Sequence, residues 1–238
     1  MSQIPPSPGL SFFILTNDDG YHAPGLRALK QSVRGIGADF LVVAPAEAVS
    51  GCGHAVTTHS SILSQAESLG GWSVAGTPAD CVRLALHRFA SSGSWIISGI
   101  NSGGNLGVDI FHSGTVAAVR EGVFHGRKGI AISHYIARNH EIDWDQAAVW
   151  ASVVLKDLLE RDLPENAFWN VNLPCLPAGT PMPECVDCPW DRSPLPLDYL
   201  YDANSAAYSG IYHERPRVKG ADVDVCFGGR ISISLVDV

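Results

Sequence analysis

Two carboxylates stand side by side near the start of the chain, Asp18 and Asp19, directly after the apolar run Phe12–Leu15 and the polar pair Thr16-Asn17. At ~4 Å and an effective dielectric of ~20, two such anions repel by ~4 kcal/mol. Either one of them stays protonated or a cation sits between them. With Thr16 or Asn17 they make an oxygen-only donor set, which suits a hard divalent ion such as Mg2+ or Mn2+. The same residues also fit a solvated Asp-Gly turn ending at Gly20. Ser50, in the small-residue stretch AEAVSGCGHAVTT, could present a hydroxyl to the same ion or be an ordinary loop serine. A second kind of chemistry is written at Ser113-Gly114-Thr115. This triplet opens an apolar-faced helix through Val116, Val119 and Val123, and follows a polar loop carrying Gly99, Gly103, Gly104, Gly107, Asn101 and Asn105. A glycine-rich loop entering a helix N-terminus offers free N–H groups and the positive dipole end to an anion. The glycine spacing fits neither a P-loop nor a dinucleotide fingerprint, and no lysine follows, which argues against P-loop triphosphate hydrolysis. His112 offers a general acid or a phosphate donor, although a lone loop histidine is more often neither.

These residues need a frame. Phe12–Leu15 is short, apolar and without alternation, as a strand buried on both faces of a parallel sheet must be. A helix starting at Pro24 follows, with Leu26, Leu29 and Val33 on one face, and then a second buried strand at Phe40–Ala44, closed by Pro45. That is a β-α-β unit. A strand at Trp72–Ala75 precedes Thr77, Pro78 and Asp80, which read as N-cap, first position and third position of a helix reaching Phe89 on Val82, Ala85 and Leu86. Capping therefore explains Asp80 better than catalysis does. Further strands are expected at Trp95–Ser98, Gly129–Ser133 and Phe168–Leu173, and a long helix over 143–160 with Trp150, Val153, Val154 and Leu158 inward. Residues 174–198 are crowded with Pro and Cys, so regular structure is not expected there. In the tail, Val223-Val225-Phe227 and Ile231-Ile233-Leu235 alternate around Gly228-Gly229, the pattern of a hairpin with one covered face. A two-stranded ribbon is marginal alone, so another subunit is expected to cover it.

The totals bound the rest. At 238 residues, 46% apolar and 17% charged, the chain can bury a substantial core and is not expected to be disordered. Residues 1–11 read as a disordered lead and 12–238 as one domain, with 174–238 an irregular and hairpin extension. A net charge of −8 argues against general nucleic-acid or anionic-membrane binding. No apolar run approaches the ~20 residues of a membrane span, and the first ten residues lack the pattern of a signal peptide, so a cytoplasmic location is expected. Six cysteines without an export signal are expected to be reduced. The lone Cys185-x-x-Cys188 has no second pair at zinc-site spacing.

The strand ends carrying Asp18, Asp19, Ser50 and Asn101, together with the helix start at Ser113, resemble the SurE family of metal-dependent nucleotide phosphatases. The segments that match are ILTNDDG (14–20), VVAP (42–45), SGCGHAVT (50–57), GTPADCV (76–82), SGINSGGNLG (98–107), HSGTVAA (112–118) and ISIS (231–234). The resemblance implies a three-layer α/β/α sandwich with a Rossmann-like, mostly parallel sheet and a C-terminal β-hairpin extension used in dimer or tetramer assembly. It implies hydrolysis of nucleoside 5'- or 3'-monophosphates, and for some members short polyphosphate. It carries one divalent ion onto Asp18, Asp19, Ser50 and Asn101, and phosphate contacts onto Asn105, Ser113, Gly114 and Thr115. A metal-activated water oriented by an aspartate is then the nucleophile, with attack by Asp18 itself the alternative and His112 a leaving-group acid. Three rivals fit less well. A haloacid-dehalogenase-type phosphatase wants Asp-x-Asp rather than adjacent acids, and a zinc deacetylase wants histidine ligands. A non-catalytic nucleotide-binding module has no use for the Asp pair.

Overall fold

The computed structural model describes residues 12–89, 95–137 and 140–238. The lead at 1–11 and the Phe89 side chain lie outside what it describes. The expected frame is present. β1 (Phe12–Thr16) pairs in parallel with β2 (Asp39–Pro45) on one side and β5 (Trp95–Ser102) on the other. β6 (Lys128–His134) and β7 (Ala167–Leu173) extend the parallel run beyond β5. On the opposite side β4 (Trp72–Val74) pairs parallel to β2, and β3 (Ser64–Ala66) antiparallel to β4. β11 (Ile231–Asp237) joins β7 antiparallel and β8 (Cys185–Asp187) lies parallel to β11, so the nine-stranded order is β3-β4-β2-β1-β5-β6-β7-β11-β8.

Helices cover both faces. Phe13, Leu15 and Ile97 pack with Leu26, Leu29 and Val33 of α1 (Pro24–Gly35) and with Trp150 and Val154 of α4 (Trp144–Leu158). Ile14 and Ile96 turn the other way, onto Val82 and Ala85 of α2 (Pro78–Phe89) and Val116 and Val119 of α3 (Gly114–Phe124). Alternate residues of β1 are thus buried on opposite faces, which is why its sequence shows no polar alternation. The chain winds outward from β1 through β2 to β4, then crosses back to place β5 on β1's other side. The carboxyl ends of β1 and β5 therefore flank a topological switch point, where doubly wound sheets bind ligands.

Three expectations are corrected. Residues 222–227 are not a strand but a short helix, α5 (Asp222–Phe227), with Val223, Val225 and Cys226 buried, and only Ile231–Asp237 is a strand, inside the main sheet. The run D-V-D-V-C-F is too short to separate a period of two from a helical turn, and Gly228 at its C-cap closes a helix as readily as it opens a turn. The hairpin is instead formed by β9 (Tyr199–Tyr201) and β10 (Ala206–Tyr208). Val153 of α4 is 50% exposed, since it sits on the flank of the Trp150–Val154–Leu158 stripe. Finally, β8 lies within the Pro/Cys-rich segment, recruited by the open edge of β11. Among the described residues no helix is long and apolar enough to cross a membrane.

Candidate active site

A cavity of about 290 Å3 opens at the switch point, lined by Asp18, Asp19, Ser50, Gly51, Asn101, Ser102, Asn105, Asp109, His112, Ser113 and Leu195. Seven sequence-picked residues meet there: Asp18, Asp19, Ser50, Asn101, Asn105, His112 and Ser113. Two larger hollows, each of about 530 Å3, lie elsewhere and contain none of them. Size does not locate the chemistry here.

Each side chain is positioned by something specific. Asp18 leaves β1 buried, and its backbone oxygen accepts Val49 N–H at 2.8 Å, which draws the Ser50 loop over it. Thr115 donates its hydroxyl to Asp18 Oδ1. Gly114 lies so close that an added Cβ would stand 2.9 Å from both Asp18 Cβ and Oδ2. Asp19 accepts Ser102 N–H at 3.0 Å. Asn101 follows an irregularity of β5 between Ser98 and Asn101, a device that re-aims a strand side chain. Its amide nitrogen donates to Gly103 O at 2.8 Å, which leaves the side-chain oxygen as the free acceptor. Ser113 caps α3 by accepting Val116 N–H at 3.0 Å. His112 is exposed at the rim.

Gly114 does not line the cavity, and neither does Thr115. Thr115 is fully buried, and both its hydroxyl and its backbone N–H serve Asp18. The anion at the start of α3 is thus partly the protein's own carboxylate, and Thr115 reaches the site through it. Residues not singled out from sequence complete the shell. Asn105 N–H donates to Asn172 Oδ1 at 2.8 Å, its amide to Ser133 Oγ at 2.7 Å, and its carbonyl accepts the Asn170 and Asn172 amides. The signal was present as Asn-x-Asn inside an otherwise apolar strand, since two buried amides at alternate positions need a polar partner.

The electrostatics ask for a cation. Burial pushes the Asp18 carboxyl above its ordinary value, with the neighbouring Asp19 charge adding to this and the Thr115 hydrogen bond opposing it. Burial raises Asp19 in the same direction against the Ser102 N–H. Two carboxyls whose charged forms burial disfavours, beside an amide oxygen and a serine hydroxyl, are a donor set of hard oxygens in which a divalent ion would favour both charges. The residues therefore fit such an ion. Among the described residues no cluster of three His, Cys, Asp or Glu side chains forms a metal site of another kind.

The family model described as "Survival protein SurE" matches residues 13–188. A curated Nostoc sp. protein bearing the name "Putative 5'-nucleotidase alr3139" is 50% identical over 225 residues, covering 94% of this chain and 99% of its own. A protein of Heliobacterium modesticaldum named "5'-nucleotidase SurE" is 36% identical over 234 residues, covering 93% of this chain and 84% of its own. Among solved structures, the SurE protein from Aquifex aeolicus superposes with a TM-score of 0.80 at 28% identity, covering 95% of this chain and 93% of that one.

Proposed function

The chain belongs to the SurE family, and on that premise we propose that it is a metal-dependent 5'-nucleotidase, hydrolysing nucleoside 5'-monophosphates to nucleoside and phosphate. The observation that carries this reading is one cavity in which Asp18, Asp19, Ser50 and Asn101 converge beside the start of α3. Asp18, Asp19, Asn101 Oδ1 and Ser50 Oγ would hold one divalent ion, Mg2+ or Mn2+. When bound, that ion supplies charge neutralisation for the phosphoryl group and lowers the pKa of a coordinated water.

The chain's own residues do the rest. Ser113 and the Gly114 N–H at the start of α3 hold non-bridging phosphoryl oxygens, where the helix end opposes the charge that builds in the transition state. The Asn105 backbone is held by Asn170 and Asn172 and its side-chain nitrogen by Ser133, so this wall costs little reorganisation when substrate enters. A carboxylate of the Asp pair accepts the proton of the attacking water. His112, at the exposed rim, gives an imidazole proton to the departing ribose oxygen. Thr115 serves the phosphate indirectly, by fixing Asp18.

The hairpin bears on assembly. All its strand residues are exposed, Leu200 at 68% and Tyr201 at 78%, and an isolated ribbon of this kind is marginal. We read it as the surface of a homodimer or homotetramer, which sedimentation tests directly. The activity is tested by AMP turnover with Mg2+ or Mn2+ and with chelator. A terminal phosphate has three free oxygens for this enclosure, whereas a diester must fit a second substituent. AMP hydrolysis that chelator abolishes is expected; equal rates on a dinucleotide would contradict the reading.

A further inference from the structure

Three carboxylates line the cavity, and only two belong to the cation set. We propose that Arg215 is a positioning residue that neutralises the third, Asp109, so that a phosphate dianion can occupy the same enclosure. The inference rests on the phosphomonoesterase reading, and Arg215 lies beyond residue 188, where the family match ends.

Asp109 Oδ2 accepts Arg215 Nη1 at 2.7 Å and the Tyr212 hydroxyl at 2.5 Å. The side chain of Arg215 is 1% exposed and that of Asp109 14%. Water and salt therefore screen the pair weakly, and the guanidinium cancels the carboxylate where a substrate phosphate would feel it. Arg215 has one anionic ion-pair partner among the described residues, and its Nε and Nη2 find no acceptor there. Tyr212 stays a donor at any working pH, because burial, followed by the Asp109 charge, pushes its phenol far up. The backbone carbonyl of Asp109 accepts the N–H groups of His112 and Ser113 at 3.0 and 3.1 Å, so the pair also anchors the turn that carries them. A purely mechanical clamp between Tyr212–Arg215 and the 3-10 turn Gly107–Phe111 is the competing account. The two differ in sign once both charges are removed together.

The test titrates inorganic phosphate into the Mn2+-loaded protein by calorimetry, beside AMP kinetics, for wild type, Arg215→Met and the double variant Asp109→Asn/Arg215→Met. An uncompensated Asp109 should weaken orthophosphate binding and raise KM for AMP by about tenfold or more, with kcat changed less than about threefold. The double variant should return both constants to within about twofold of wild type. A double variant as weak as Arg215→Met, or weaker, overturns the proposal in favour of the clamp. If Arg215→Met does not fold, Arg215→Lys decides. Retained charge keeps orthophosphate affinity within about threefold under charge compensation, and loses it if only the guanidinium geometry matters. A wild type that binds orthophosphate without turning over AMP would remove the 5'-nucleotidase reading, while the binding series still decides the role of Arg215.

Discussion

Adding one methyl group at Gly114 is expected to separate stability from function. Gly114 opens α3 with an ordinary backbone conformation, so helix propensity alone favours alanine by up to ~1 kcal/mol. The new Cβ, however, would stand 2.9 Å from Asp18 Cβ and Oδ2 and 3.2 Å from Cγ, closer than carbon atoms pack. Asp18 is held by the hydroxyl and backbone N–H of Thr115, so relief comes from shifting the carboxylate or the first turn of the helix. Overpacking of this kind costs ~1–3 kcal/mol. Net destabilisation is then ~0–2 kcal/mol, a fall in Tm of no more than about 8 °C for a domain of this size. The same displacement, about half to one ångström at a metal-holding carboxylate, is expected to cost up to about 100-fold in turnover. Thermal unfolding of the metal-free protein beside Mn2+-dependent AMP hydrolysis reads both quantities. A folded Gly114→Ala variant retaining more than about a third of wild-type turnover would refute the reasoning, because Asp18 would then tolerate the crowding that a Cβ at this position brings.

Two further perturbations test single buried carboxylates. Thr115→Val keeps shape and removes the hydroxyl donated to Asp18. The carboxylate becomes harder to ionise, and Mn2+ affinity measured by calorimetry should fall about tenfold, the equivalent of one hydrogen bond to a charged group; unchanged affinity would count against Thr115 as Asp18's anchor. Glu121 is buried beside His54 Nε2 at 2.8 Å, Arg83 Nη1 at 2.9 Å and His125 Nε2 at 3.0 Å. Burial works to raise its carboxyl, but these three partners outweigh burial and hold it below its ordinary 4.5. A depressed folded-state pKa contributes stability that is present above 4.5 and lost as pH falls through the lower folded value. Glu121→Gln should therefore be less stable than wild type by ~1–3 kcal/mol at pH 7, with the difference shrinking below pH 4.5 in denaturant melts. A difference that grows on acidification would contradict the sign.

What the sequence made legible follows the length and strength of each local signal. Phe12–Leu15 running into Thr-Asn-Asp-Asp-Gly could be placed because a strand buried on both faces must be apolar throughout, and its polar exit then falls at the ligand end of the sheet. Thr77 was readable as a cap because the donor it satisfies is fixed by helix geometry; Ser113 was legible as the opening of a helix, and its cap to Val116 came from the structure. Val223–Phe227 was not readable, since five residues cannot distinguish two periods and the deciding packing comes from distant parts of the chain. Thr115 was legible as a helix-start residue but not as Asp18's partner, because 97 residues separate them. The Asp109–Arg215 pair was invisible for the same reason, and of the Asn105 shell only the Asn-x-Asn of β7 left a signal, without its partner. Each half is an unremarkable polar residue until the fold removes water from both.

The most direct test of the central claim is thermal unfolding of wild type, Asp18→Asn and Asp19→Asn, each with and without Mn2+, beside AMP turnover. Both carboxyls are pushed up by burial, so removing either charge relieves repulsion in the metal-free protein. Metal-free Tm should stay level or rise in both variants. In wild type, Mn2+ at about 100 times its Kd adds ~2.7 kcal/mol, or about 5–10 °C; both variants should lose that shift together with nearly all turnover. If the variants melt earlier without metal, or keep wild-type metal response and activity, Asp18 and Asp19 form a structural turn and the account of this site is wrong.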